Sequence, residues 1–189
     1  MTKVYYYNPN KCCQKHDHYH EKPHKCGCHK KPKKDCKPEK IDFNCKEICG
    51  AVNVPFIDLS TTATTPTTIG SISVDLRCFD SPEVKLDFSA IANLNLTTAT
   101  NFTLTFRVFK QCDNGQEMEI DTVTIPNTIG ITEATVVSLP IVFSVCDEDF
   151  CPRKCCTYRI TVEGTSTEAI TGSFNIGKGV ISTLVSEEC

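Results

Sequence analysis

From about Val52 to its end the chain alternates apolar and polar residues with a period of two. SISVDLRC sets Ile72, Val74 and Leu76 against Ser73, Asp75 and Arg77. EVKLDFS sets Val84, Leu86 and Phe88 against Glu83, Lys85 and Asp87. FTLTFRVF puts Phe102, Leu104, Phe106 and Val108 on one face and Thr103, Thr105 and Arg107 on the other. TYRITVE alternates Tyr158, Ile160 and Val162 with Thr157, Arg159 and Thr161. Such runs predict strands with one face in a core and the other in solvent.

Noisier strands are expected over Val54–Leu59, Met118–Ile125, Ala134–Val145, Ala169–Ile176 and Val180–Val185. Turn signals separate them: Asp113-Asn114-Gly115, Asn127 with Gly130, Gly164, Gly172, and Gly177 with Gly179. QCDNGQ, between two strands, predicts a hairpin. Thr61–Thr68 reads as an exposed loop, and no amphipathic helix stands out. Eight or nine short strands in about 140 residues predict an all-β fold, an antiparallel β-sandwich that is jelly-roll-like, with an immunoglobulin-like sandwich as the alternative. Trp is absent, so the Cys–Trp–Cys spacing of true immunoglobulin domains is excluded.

Charge divides the chain in two. Residues 1–40 hold eleven lysines against four acids, net +7, and the remainder is net −10. Residues 1–48 are therefore read as an extended N-terminal connector arm and residues 49–189 as the sandwich domain. The arm carries too little apolar surface to offset its ordering entropy, and Pro9, Pro23, Pro32 and Pro38 break any helix. A basic arm beside an acidic body suggests attraction to another copy's body no less than to nucleic acid, the alternative being a solvated tail that contacts nothing. The expected partner is thus the chain itself, as a homopolymer, with an anchoring or tip protein as a further partner. Neither nucleic acid nor membrane is expected. No hydrophobic stretch is long enough to span a bilayer, and no signal-peptide core opens the chain.

Fourteen cysteines shape the rest of the reading. The arm holds Cys12, Cys13, Cys26, Cys28 and Cys36, and Cys45 and Cys49 mark its junction with the body. Cys78 and Cys112 each follow a strand, VCDEDFCPRKCCTY holds Cys146, Cys151, Cys155 and Cys156, and Cys189 ends the chain. Adjacent cysteines rarely bond to each other, so Cys12-Cys13 and Cys155-Cys156 each want separate, distant partners. Cys12, Cys13, Cys26, Cys28, Cys36, Cys155, Cys156 and Cys189 are the candidates for bonds between copies. Cys78, Cys112, Cys146 and Cys151 are the candidates for bonds within the domain.

The alternative reading of the arm is a metal site, with Zn or Cu held by His16, His18, His20, Cys26, Cys28 and Cys36 in a spore-coat or surface protein. His24 and His29 could also supply an imidazole. The paired C-x2-C knuckles of zinc sites are missing, and CGCH is one residue short of a c-type haem signature. No cofactor is expected. All five histidines lie in the arm, so the body has none for a catalytic triad, and Asp147 and Asp149 read as part of a solvated acidic loop. An enzyme is not expected.

EVKLDFSAI, LTFRVFKQCDNGQE and above all FSVCDEDFCPRKCCTYRITVE resemble a family of cysteine-rich clostridial proteins of unassigned function, over roughly residues 49–189. The overall plan also resembles the endospore appendage pilins of bacilli, in which a Cys-Cys-bearing N-terminal connector precedes a jelly roll and disulfides join subunits into robust fibres. That resemblance implies a structural subunit of an extracellular, spore-surface fibre, made without an ordinary signal peptide. It matches Cys12 and Cys13 to the connector's vicinal pair, and Cys189 and one of Cys155 and Cys156 are the implied acceptors. This arm departs from the pilins in being longer, basic and loaded with His and further Cys.

Overall fold

The computed structural model describes residues 41–58, 66–77, 79, 81–96, 100–113, 115–130, 133, 135–147, 154–166 and 172–187. They form nine strands and no helix: β1 (Ile41–Glu47), β2 (Ala51–Asp58), β3 (Thr67–Asp75), β4 (Pro82–Leu96), β5 (Thr100–Cys112), β6 (Met118–Ile129), β7 (Thr135–Asp147), β8 (Cys155–Ser166) and β9 (Gly172–Glu187). One layer runs β1–β9–β4–β7 and the other β3–β8–β5–β6. β2 joins them, pairing antiparallel with β9 through Ala51, Val54 and Pro55 and then parallel with β8 from Phe56 to Asp58. This is the jelly-roll sandwich the alternation predicts, except that the β2–β8 ladder is parallel. The Asp113–Gly115 hairpin forms as expected between β5 and β6. Asp113 takes φ +50° and Gly115 N–H donates to Cys112 O at 2.9 Å.

The inward positions of the strands fill the space between the layers. Leu104, Phe106, Val108, Tyr158, Ile160 and Val162 from one layer meet Val84, Leu86, Phe88, Leu94, Ile141 and Val145 from the other, all buried. Two ring clusters cross that space. Phe88 lies 4.8 Å from Phe143 and 5.9 Å from Phe106 between centroids, while Phe56 lies 5.3 Å from Phe102 and 5.2 Å from Phe174. Tilted and offset pairs at this spacing add about 0.5–1.5 kcal/mol each beyond the area they bury.

Several sequence readings change. Residues 41–47, read as arm, are strand β1, so among the described residues the sandwich reaches back to Ile41 and does not start at residue 49. Their alternation is inverted, because Ile41 and Phe43 face outward while Asp42 and Asn44 take the inward side. The strands expected over Ala169–Ile176 and Val180–Val185 are one continuous β9. Gly179 is not a turn. A Cβ there would lie 2.5 Å from Ile48 Cδ1 and 2.7 Å from Ser89 O, so this glycine serves close packing. Gly164 is likewise inside β8, not a turn. Of the Thr61–Thr68 loop, Thr67 and Thr68 start β3, and residues 61–65 lie outside the described residues.

A Cβ on Gly164 would sit 2.5 Å from Phe174 Cε1 and 2.9 Å from Phe56 Cδ1. Gly164→Ala would therefore push apart the second ring cluster. Forcing one carbon into a filled core costs about 1–3 kcal/mol. The expected result is a lower urea midpoint with an unchanged slope, and an unchanged midpoint would refute the packing argument.

Candidate functional site: thiols on the β1–β9–β4–β7 face

The cysteines of the body divide by strand phase. Cys112 ends β5 and Cys156 lies opposite it on β8, so the two pair in register, with Cα atoms 4.0 Å apart, and form a disulfide. Cys156 is fully buried. Cys155, also expected to bond to another copy, is likewise in a disulfide within the chain and is buried. Cys156, expected to bond to another copy, is thus used inside the domain, because β8 points it inward opposite Cys112. Cys146, expected to bond inside the domain, is a free and exposed thiol. The cause is phase: Ile141, Phe143 and Val145 take the inward positions of β7, so Cys146 faces out. Cys45 is free and exposed as well, and Cys49 is exposed. Cys12, Cys13, Cys26, Cys28, Cys36, Cys78, Cys151 and Cys189 lie outside the described residues, as do His16, His18 and His20. Among the described residues no group of three or more His, Cys, Asp or Glu side chains could hold a metal.

Cys45 and Cys146 share one face. Cross-strand register places Phe43, Leu184, Lys85 and Cys146 in one row across β1, β9, β4 and β7. The next row is Cys45, Ser182, Asp87 and Ser144. One thiol therefore stands at each margin of the layer. Three strand spacings of about 4.8 Å separate the margins, or about 14 Å, far beyond disulfide reach. Neither thiol can satisfy the other within one chain.

The same face carries several exposed apolar side chains among its polar ones. Ile41 is 61% exposed, Phe43 63%, Val142 74% and Val136 64%, and Ile91 and Leu184 are also exposed. All stand at outward positions of β1, β4, β7 and β9. Single exposed hydrophobics are ordinary; six on one face of four strands, with Phe43 and Leu184 directly opposite each other, make it a candidate contact surface. The sequence signal was available in IDFNCKE, where the apolar residues sit on the wrong side for this core.

Two of the other margin strands, β6 and β7, are interrupted, whereas β3 is not. Pro126 lies on β6 and Pro140 on β7, each without an N–H to offer a new strand. β1 carries no proline.

Surface carboxylates are held by partners. Asp75 is bonded by the side chain and backbone N–H of Arg77, which keeps its carboxyl below the usual range. Ser144 donates to Asp87 with Lys85 nearby, and Arg159 binds Glu117 through two nitrogens, and both carboxyls are pulled down in the same direction. A carboxyl lowered on folding contributes stability above its unfolded value, 3.8 for Asp and 4.5 for Glu, and loses it as pH falls through the folded value. The urea midpoint should therefore be flat from about pH 7 to 5 and decline below about pH 4. A midpoint that rises on acidification would refute this assignment. The drop should be modest, since all three groups are exposed enough for solvent to screen them.

Residues 44–186 match a domain of unknown function, DUF4489. The chain belongs to the DUF4489 family. This match begins inside β1, so the family's domain includes the strand that carries Cys45. No curated protein matches the chain significantly. Among solved structures, this DUF4489 chain is similar to a chain of the T13 particle of infectious bursal disease virus, at 10% identity and TM-score 0.39, over 79% of this chain and 36% of that one. It is similar also to the VP2 subviral particle of that virus, at 10% identity and TM-score 0.36, over 80% of this chain and 38% of that one. The DUF4489 chain thus spans little more than a third of the length of the viral chains it matches.

Proposed function

We propose that this protein is a structural subunit that self-assembles into a disulfide-cross-linked extracellular fibre, of the endospore appendage or pilus-like kind. The observation that carries the reading is the outward face of β1–β9–β4–β7, with Phe43 and Val142 bare and an unpaired thiol at each margin. Apolar contact brings a second copy to this face, and disulfides then lock it. Residues 1–40, net +7, are drawn to the acidic body of a neighbour and supply sulfurs from Cys12, Cys13, Cys26, Cys28 and Cys36. Strand addition at a proline-free margin strand, β1 or β3, is the second route of contact, since prolines interrupt β6 and β7.

Protein exposed to air should give a ladder of covalent oligomers on a non-reducing gel and filaments in negative-stain images. Reductant added before assembly should leave the monomer band alone. Single particles in air, with identical bands in both gels, would reject the reading.

A further inference from the structure

Lys110 is the continuation of an apolar series. Leu104, Phe106 and Val108 occupy the inward positions of β5, and Lys110 takes the next one. Asp147 does the same on β7 after Ile141, Phe143 and Val145. The two strands belong to opposite layers, so their last inward side chains meet in the core. Lys110 Nζ lies 2.7 Å from Asp147 Oδ2, and the two side chains are 1% and 4% exposed. Tyr158, fully buried and opposite Lys110 on β8, donates its hydroxyl to the same Oδ2 at 2.6 Å.

We propose that Lys110 and Asp147 condense into an intramolecular amide that ties the two layers together. Three features of the site favour that reaction over a lasting ion pair. The reacting groups are in contact and held by rigid strands, which removes the entropic part of the barrier. Two opposite charges held out of water repay their desolvation poorly, which favours a neutral product over the charged pair. Burial also removes bulk water, which would otherwise favour hydrolysis.

The atoms balance without a co-reactant. One proton passes from Nζ to Oδ2, leaving an amine and a carboxylic acid. The Nζ lone pair attacks Cγ. A second proton follows from Nζ to Oδ2, the Cγ–Oδ2 bond breaks, and one water departs. The Tyr158 hydroxyl orients the carboxyl and polarises the departing oxygen. The product is a Lys110–Asp147 amide that keeps one N–H. It forms in a single chain, so it stands or falls independently of fibre assembly.

The test is the mass of the full chain after denaturation, complete reduction and alkylation of its thiols. The expected mass is lower by one water molecule than that of the sequence with every cysteine alkylated. Proteolysis should give one branched peptide containing both Lys110 and Asp147, and Lys110→Arg should restore the full mass. The wild-type chain at full sequence mass, with the two residues in separate linear peptides, overturns the proposal. So does a water loss that persists in Lys110→Arg, because it then lies elsewhere. The branched peptide is read on the wild-type chain, so a Lys110→Arg chain that fails to fold leaves the test decisive.

Discussion

Asp147→Ala should destabilise the domain by about 3–5 kcal/mol, among the largest effects of any single substitution in this chain. The change leaves Lys110, 1% exposed, with its ammonium deprived of its Asp147 partner in the core. It also leaves the Tyr158 hydroxyl without the carboxylate it binds. A buried charge stripped of a counterion in direct contact costs far more than the loss of the pair itself, since the pair's attraction only offsets its own desolvation. The double replacement Lys110→Met with Asp147→Leu should therefore be more stable than Asp147→Ala alone. Urea unfolding of the single and double variants measures this. A single variant as stable as the double one would sink the argument, and the comparison holds whether the wild-type groups are ionic or joined as an amide.

The second large effect concerns assembly. Cys45→Ser with Cys146→Ser should sharply reduce the covalent ladder formed in air and leave the fold intact, because both side chains are exposed and neither is in a disulfide. Each single variant should shorten the ladder, since one margin of the β1–β9–β4–β7 face would still carry a thiol. By contrast, Cys112→Ala with Cys156→Ala should act on stability and not on the ladder, because that bond lies inside the domain. Removing a bond of this kind typically costs about 2–5 kcal/mol. A full-length ladder from the Cys45/Cys146 double variant would move the cross-links to other cysteines.

The strands that proved legible were those with an apolar series facing the core. Phe102 to Val108 and Tyr158 to Val162 were read in the right phase, and they are buried as that phase requires. β1 was missed because its apolar residues face away from its own core, so alternation there reports a surface and not an interior. The late cysteines were located but not sorted. Cys146 and Cys156 lie in opposite phases of their strands, yet inward and outward could be assigned only by extending each series through the cluster. Asp147 was read as solvated for the same reason: counting on from Ile141, Phe143 and Val145 places it in the core, beneath the acidic look of the residues that follow. The β2 crossover, by contrast, left no local signal, because it depends on which neighbours meet that strand and not on its own pattern.

β1 lies along β9 in seven consecutive antiparallel pairs, from Ile41 opposite Ser186 to Glu47 opposite Val180. Its inter-strand hydrogen bonds run perpendicular to the strand. Tension entering through residue 40 along the axis of β1 would thus load the whole ladder in shear, and the rungs would share the load. Such an attachment yields only when the rungs fail together, which suits a domain whose leading segment is pulled.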